Sequence, residues 1–340
     1  MFDLGSENFL RAEEGTELLS INKLQFGINY LDDSTGGILP HDLILIGAGS
    51  GVGKTEIACR IALENLDRGK RVHYIALEAE RREIERRIKF QMLAERFYND
   101  PKRPYENLSY RKYALGEFSD TLKTYTRSSL EGSEARLKKL RTLYKTGDYG
   151  LNQFVESVLY ASGDTDLIIL DHIHYFDLDE RENENAAIKT IIKTARKMAL
   201  EEGIPIVMIA HMRKSMRGEM RELAPSMEEF HGSSDLYKIA TKVITFSGGS
   251  LSPGLGYETY FRVCKNRIDG TATRYIGRHH YDTRKNAYTH DYKIGWATQT
   301  VAEGFGELGQ DFQPAWTRYK TVLGSNDPTP QQKPSAWVNW

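Results

Sequence analysis

The sequence predicts an α/β fold, a mostly parallel sheet with helices on both faces. Three observations predict it. Four short, largely apolar runs recur along the chain: Leu43-Ile44-Leu45-Ile46, Val72-His73-Tyr74-Ile75-Ala76-Leu77, Leu167-Ile168-Ile169-Leu170 and Ile206-Val207-Met208-Ile209-Ala210. Runs without alternation are the mark of strands buried on both faces. Amphipathic helical stretches lie between them, and a glycine-rich turn joins the first run to the first helix, so strands and helices alternate.

In chain order, residues 1–22 read as a short amphipathic arm carrying Phe9, Leu10, Leu18 and Leu19. The core domain is expected over 23–300. After the first strand, Ile57, Ala58, Ile61, Ala62 and Leu66 recur at helical spacing, and Gly69 suits the cap. Residues 99–150 show no buried-strand pattern and read as a helical insertion. They carry Tyr105, Tyr110, Tyr113, Tyr125, Tyr144 and Tyr149 among many Lys and Arg. A helical hairpin on the sheet edge and a surface for nucleic acid or a partner both fit. Between the third and fourth strands, Ile188, Ile191, Ile192, Ala195, Met198 and Ala199 form a helical stripe closed by Gly203 and Pro205. Val243-Ile244-Thr245-Phe246 and Tyr260-Phe261-Arg262-Val263-Cys264 follow as further runs. Residues 301–340, with Pro314, Pro328, Pro330 and Pro334, read as a tail that docks on a partner or lies on its own domain.

Composition narrows the classes. The 340 residues are 40% apolar and 27% charged, so a core is affordable and wholesale disorder is excluded. Lys plus Arg number 46 against 47 for Asp plus Glu, a net charge of -1. That excludes a uniformly basic, nucleic-acid-coating protein and leaves room for a local basic groove. Two cysteines, Cys59 and Cys264, make no disulfide framework and fit a reducing, cytoplasmic setting. No apolar run approaches the ~18 residues of a membrane span, and Met1 to Leu10 lacks a basic leader, so neither membrane nor signal peptide is expected.

Ala48-Gly49-Ser50-Gly51-Val52-Gly53-Lys54-Thr55 follows the first strand and opens the first helix. Small residues let the backbone N–H groups converge on phosphate oxygens, and the helix N-terminus adds partial positive charge. Lys54 is expected at the β- and γ-phosphates of ATP, and the Thr55 hydroxyl at Mg²⁺. Asp171 ends the third strand and could hold the metal's waters beside such a loop. Glu78 ends the second strand; it reads equally as a base for the attacking water or as the start of the next helix. His211 ends the fourth, as a structural histidine or as a sensor of the γ-phosphate.

These residues carry a family resemblance. Phe26-Gly27-Ile28-Asn29-Tyr30-Leu31-Asp32 and Thr35-Gly36-Gly37-Ile38-Leu39-Pro40 lead into the phosphate loop as in the RecA-like motor domain of DnaB-type replicative helicases. Leu77-Glu78 resembles that family's second-strand motif. Ile169-Leu170-Asp171-His172-Ile173 and Ile209-Ala210-His211-Met212-Arg213 resemble the branch of phage primase-helicases and mitochondrial replicative helicases. Glu229-Phe230-His231-Gly232-Ser233-Ser234-Asp235-Leu236 resembles the DNA-contacting loop, with His231 where an Arg is usual. Cys264-Lys265-Asn266-Arg267 resembles a Lys-x-Arg that acts in trans. The match runs over roughly residues 24–285.

The resemblance implies a RecA-like ATPase core with Glu78 as catalytic base, His211 as γ-phosphate sensor, and Lys265 and Arg267 reaching a neighbour's nucleotide. It implies ATP with Mg²⁺ as cofactors, single-stranded DNA as partner, and a homo-oligomer, a hexameric ring, with a replication-protein partner. The cytoplasm of a phage-infected host is a setting consistent with it. Arg213, Lys214, Arg217 and Arg221, with His231, Gly232 and Ser233, are the DNA-side candidates; a solvated loop of mixed charge is the plainer reading of the first four. Two rival functions share the core. One is a recombinase or recombination mediator; the other is a nucleotide-dependent switch or assembly factor that does not translocate. With barely two dozen residues ahead of the match, no collar domain is expected, and ring assembly would lean on DNA, nucleotide or another protein.

Overall fold

The computed structural model describes residues 23–178, 183–213, 224–231, 234–252, 256–270, 273, 275–285, 287–296 and 313–314. The arm at 1–22, nearly all of the tail, and Lys214, Arg217, Arg221, Gly232 and Ser233 lie outside the described residues.

The elements are α1 Asn29–Thr35, β1 Leu43–Ala48, α2 Lys54–Asp67, β2 Val72–Ala76, α3 Glu83–Asn99, α4 Tyr110–Ala114, α5 Asp120–Leu130, α6 Glu134–Leu137 and β3 Leu140–Tyr144. Then come α7 Leu151–Ser162, β4 Leu167–Asp171, α8 Glu184–Glu202, β5 Ile206–His211, α9 Asp235–Ile239, β6 Lys242–Ser252, β7 Gly256–Asn266, β8 Tyr275–Asp282, β9 Ala287–Trp296 and β10 Gln313–Pro314. They form a sheet in the order β10-β9-β8-β7-β6-β1-β5-β4-β2-β3. From β6 to β3 every described pairing is parallel; from β6 outward to β10 every one is antiparallel.

The unbroken apolar runs follow from two-sided burial. In β1, Ile44, Ile46 and Ala48 enter one core with α2 and α3, while Leu43 and Leu45 enter the other with α7 and α8. Alternate side chains of a strand point to opposite faces, so a strand covered on both must be apolar throughout. Helix α2 buries Ile57, Ala58, Ile61, Ala62 and Leu66, and α8 buries Ile188, Ile191, Ile192, Ala195, Met198 and Ala199, the stripes expected.

The segment 99–150 holds α4, α5 and α6, but also β3, which extends the sheet beside β2 from Val72↔Leu140 to Ala76↔Tyr144. This corrects the expectation of helices alone. An edge strand is only half covered, so Leu140-Arg141-Thr142-Leu143-Tyr144 lacks the apolar run that marked its inner neighbours. The helices pack on α3 in a small core of Phe90, Leu93, Phe97, Leu108, Phe118 and Leu122, with Tyr110, Tyr113 and Tyr125 against it. Most of the tyrosines of this segment are therefore packing residues, whereas Tyr105 is fully exposed.

At the other side, α1 docks on the antiparallel extension. The Tyr30 hydroxyl donates to the Tyr275 carbonyl at 2.7 Å, and its ring occupies the space where a Cβ at Gly277 would stand. Buried His279 accepts from the Tyr30 amide at Nε2 (3.3 Å) and donates from Nδ1 to the Thr289 carbonyl (3.0 Å).

Candidate active site

In a parallel sheet all strands end at the same edge. Ala48 pairs with His211 and Ala76 with Asp171 in register, so the loop after β1, the end of β5, the end of β4 and the turn after β2 converge there. The order across the sheet puts the phosphate loop, His211, Asp171 and Glu78 side by side.

The loop after β1 curls through Gly51 and Gly53, at φ 75° and 100°, where a side chain would be strained. Helix α2 starts at Lys54, whose ammonium donates to the Gly49 carbonyl at 2.9 Å. Burial pulls its pKa down, against the attraction of Asp171 and Glu78. Behind it Gly47 is pressed by Phe230 and Met212; a Cβ there would overlap the Phe230 ring.

Asp171 is almost wholly buried and burial pushes its carboxyl upward. The Tyr74 hydroxyl donates to Oδ2 at 2.8 Å, and the Tyr74 and Thr55 hydroxyls both offset part of that rise. Oδ1 has no protein partner. A hydroxyl and a carboxylate meeting beside a glycine-rich loop, with one buried carboxylate oxygen free, fit a nucleotide-bound Mg²⁺, which takes oxygen ligands and keeps waters.

Glu78 is half exposed just beyond β2. Its Oε1 accepts from the Tyr175 hydroxyl at 3.2 Å, and its Oε2 lies 3.0 Å from His172 Nε2, without the alignment of a hydrogen bond. His172 is buried, its pKa held down to about 2 by burial and then by His211 and other nearby positive charge, so it is neutral. His211 packs edge-on against it, ring centroids 4.1 Å apart, with its own pKa lowered by burial.

His174 ties this edge to the next loop. Its Nδ1 accepts from the His211 amide at 3.3 Å, and its Nε2 donates to the His231 carbonyl at 3.2 Å. The His231 amide donates back to the His211 carbonyl at 3.1 Å, and the Arg213 amide to the Glu229 carbonyl at 2.8 Å. The excursion from Arg213 to Glu229 thus leaves and returns at the end of β5, with Arg213 and His231 both exposed.

Lys265 and Arg267 are not brought to this cluster. Antiparallel β7 pairs Asn266 with Lys242, and the Arg267 amide donates to the Thr241 carbonyl, whose own amide donates to Leu43 at the start of β1. They therefore sit at the opposite edge of the sheet. Five residues of β1 separate the two edges, about 16 Å. Lys265 donates to the Tyr237 and Lys238 carbonyls at 3.1 and 2.7 Å, while the Arg267 side chain is exposed. Nearby Lys242 is buried on Asp42, which locks β6 to β1 at this edge.

Sequence reasoning missed Tyr74, His172, His174 and Tyr175 as parts of the site. A hydroxyl within an apolar strand, and two histidines flanking Ile173 directly after Asp171, were the available signals.

Sheet order and edge cluster define an α/β domain of the nucleotide-binding ATPase class. The chain belongs to the family of the DnaB-like helicase C-terminal domain, whose model matches residues 24–248. Two solved structures share its RecA-like fold. The structure of a DnaB-like replicative helicase and its interactions with primase is 15% identical, with 85% of this chain and 67% of that one covered and a TM-score of 0.65. A structure of an ATPase domain is also 15% identical, with 84% and 99% covered and a TM-score of 0.66. No curated protein matches the chain. Among the described residues no helix is long and apolar enough to cross a membrane.

Proposed function

We propose that the protein is an ATP-driven, oligomeric translocase of the DnaB-like helicase type, acting on single-stranded DNA and hydrolysing ATP between subunits in a ring, a hexamer by family resemblance. The observation that carries this reading is the separation of the two edges. Lys54, Thr55, Asp171, Glu78 and His211 share one edge, while exposed Arg267 lies at the other, about 16 Å from its own phosphate loop along β1. Such an arginine serves a neighbour's nucleotide or none.

In this reading the backbone amides of 48–53 cradle the phosphates and Lys54 holds the β- and γ-oxygens. Thr55 and Asp171 hold Mg²⁺, which when bound neutralises charge developing on the phosphates. Glu78 orients the attacking water and takes its proton, positioned by Tyr175. His211 meets the γ-phosphate, and loss of that contact passes through His174 and the paired backbone to His231 and Arg213, the described part of the DNA side. Arg267 stabilises transition-state charge in the adjoining subunit. A replication-protein partner remains an expectation of the family resemblance.

The test is steady-state ATPase with and without long oligo-dT, across protein concentrations, on wild type and on mixed variants. Turnover should rise more than linearly with protein and be stimulated by DNA. Lys54→Ala and Arg267→Ala should each be nearly inactive, and an equal mixture should recover up to about a quarter of the wild-type rate, because one interface in four joins an intact loop to an intact arginine. A linear, DNA-indifferent rate, or no recovery on mixing, defeats the reading and favours a nucleotide-dependent switch.

A further inference from the structure

We propose that Glu78, His172 and His211 form a binding site for one transition-metal ion of the zinc class, and that its occupancy excludes ATP hydrolysis. The ends of β2, β4 and β5 deliver these residues, and one potential ligand atom from each lies within 4.8 Å of the others. Two imidazoles and a carboxylate, with a fourth position left to water, make a zinc donor set; magnesium prefers the all-oxygen pair of Thr55 and Asp171 next to it.

The second observation is His172 itself. It is 1% exposed, and neither ring nitrogen has a hydrogen-bond partner, although Nε2 points to within 3.0 Å of Glu78 Oε2. A buried imidazole without partners is rare and costly; a metal bond satisfies it. His211 stands edge-on to it with ring centroids 4.1 Å apart. Metal–ligand bonds of about 2 Å set ligand atoms roughly 3.3 Å apart in a tetrahedron. Glu78, half exposed on the turn after β2, already brings Oε2 to 3.0 Å from His172 Nε2, and the Tyr175 hydroxyl on its other oxygen orients it. His174 is not a ligand, since both its nitrogens are committed to backbone groups.

Metal binding is independent of the function proposed above. Only the exclusion of hydrolysis rests on Glu78 as base and His211 as sensor, since an ion on both removes both from the reaction.

The experiment titrates Co²⁺ and then Zn²⁺ into the untagged full chain without nucleotide or magnesium. One Co²⁺ per chain should give the visible absorption of a four-coordinate ion and be displaced by Zn²⁺. Affinity should fall more than tenfold in Glu78→Ala and in His211→Ala, whose side chains are partly exposed and whose loss the fold should tolerate. No four-coordinate spectrum, or bands unchanged in both variants, overturns the site. In a second arm, Zn²⁺ should abolish turnover of Mg²⁺-ATP, and a zinc-selective chelator should restore it. Binding with undiminished turnover overturns the exclusion. Failure of the functional reading shows separately, as wild-type turnover in Glu78→Gln without zinc.

Discussion

Removing the His174 side chain tests whether the nucleotide edge and the loop at His231 are coupled. His174→Ala deletes two hydrogen bonds, one from the His211 amide at 3.3 Å and one to the His231 carbonyl at 3.2 Å. Both are long, so each falls in the lower part of the usual range, and their sum is about 1–2 kcal/mol. Burial and neighbouring histidines hold the His174 pKa to about 4, so at neutral pH the ring is uncharged and no ionic contribution is added. If those bonds transmit the state of His211 to the loop, about 1–2 kcal/mol of coupling is lost, which is a ~5–30-fold drop in DNA stimulation of the ATPase. The melting temperature should fall by ~2–4 °C. The assay compares turnover with and without oligo-dT on the same preparation. A lowered melting temperature with an unchanged stimulation factor would refute the coupling and leave His174 a packing residue.

Glu78→Gln should keep ATP binding, measured with a fluorescent analogue, and lose ~10²–10⁴ of turnover, the usual worth of a positioned base. Gly47→Ala should destabilise by ~1–3 kcal/mol because its Cβ overlaps the Phe230 ring, and Phe230→Leu in the same chain should restore at least half of the lost urea midpoint. Stability should fall on acidification. His73, His174 and His279 are held by burial at about 4 and His172 at about 2. The unfolded chain takes up protons at these four groups below pH ~6.5 and the folded chain does not, so the stabilisation is complete above ~6.5 and shrinks toward ~4. Asp32 and Asp171, which burial pushes up, act oppositely but number two against four. A urea midpoint that rises between pH ~7 and ~5 would contradict this.

What the sequence disclosed depended on how completely each strand is covered. β1, β2, β4 and β5 are buried on both faces, so their composition alone located them, and the polar residue that ends the run in β2, β4 and β5 was bound to stand at the sheet edge. That placed Asp171, Glu78 and His211 at strand ends, while the roles of Glu78 and His211 came only with the family resemblance. β3 lies at an edge, and β8 and β9 mix tyrosine, histidine and charge on a half-covered surface, so no run announced them. The support of the site was hidden for another reason. That Tyr74 reaches Asp171 across 97 positions, or that His174 bridges His211 and His231, depends on strand order and on which face a residue takes, neither of which a linear pattern contains. Five of the seven residues expected on the DNA side, Lys214, Arg217, Arg221, Gly232 and Ser233, lie outside the described residues; Arg213 and His231 stand exposed where the excursion leaves and rejoins β5.

The position of Arg267 has a topological cause. A parallel sheet delivers the carboxyl end of every strand to one edge, which is why four different strands can furnish one site. The same rule keeps the carboxyl end of every one of those strands away from the opposite edge, where their amino ends lie. β7 is the first strand that runs back, so its carboxyl end carries Lys265 and, just past Asn266, Arg267 to the level of Thr241 and Leu43. The antiparallel extension is therefore more than added sheet; it is what presents a cation on the face that lacks a phosphate loop. The buried Lys242–Asp42 pair and the seating of Lys265 on the Tyr237 and Lys238 carbonyls hold that corner, so Arg267 projects from a fixed base. If one subunit's loop edge meets the next subunit's arginine edge, the contact is head-to-tail. Such contacts close into a ring or run on as a filament, so the rotation between subunits, not the chemistry of the site, decides between a helicase ring and a recombinase-like filament.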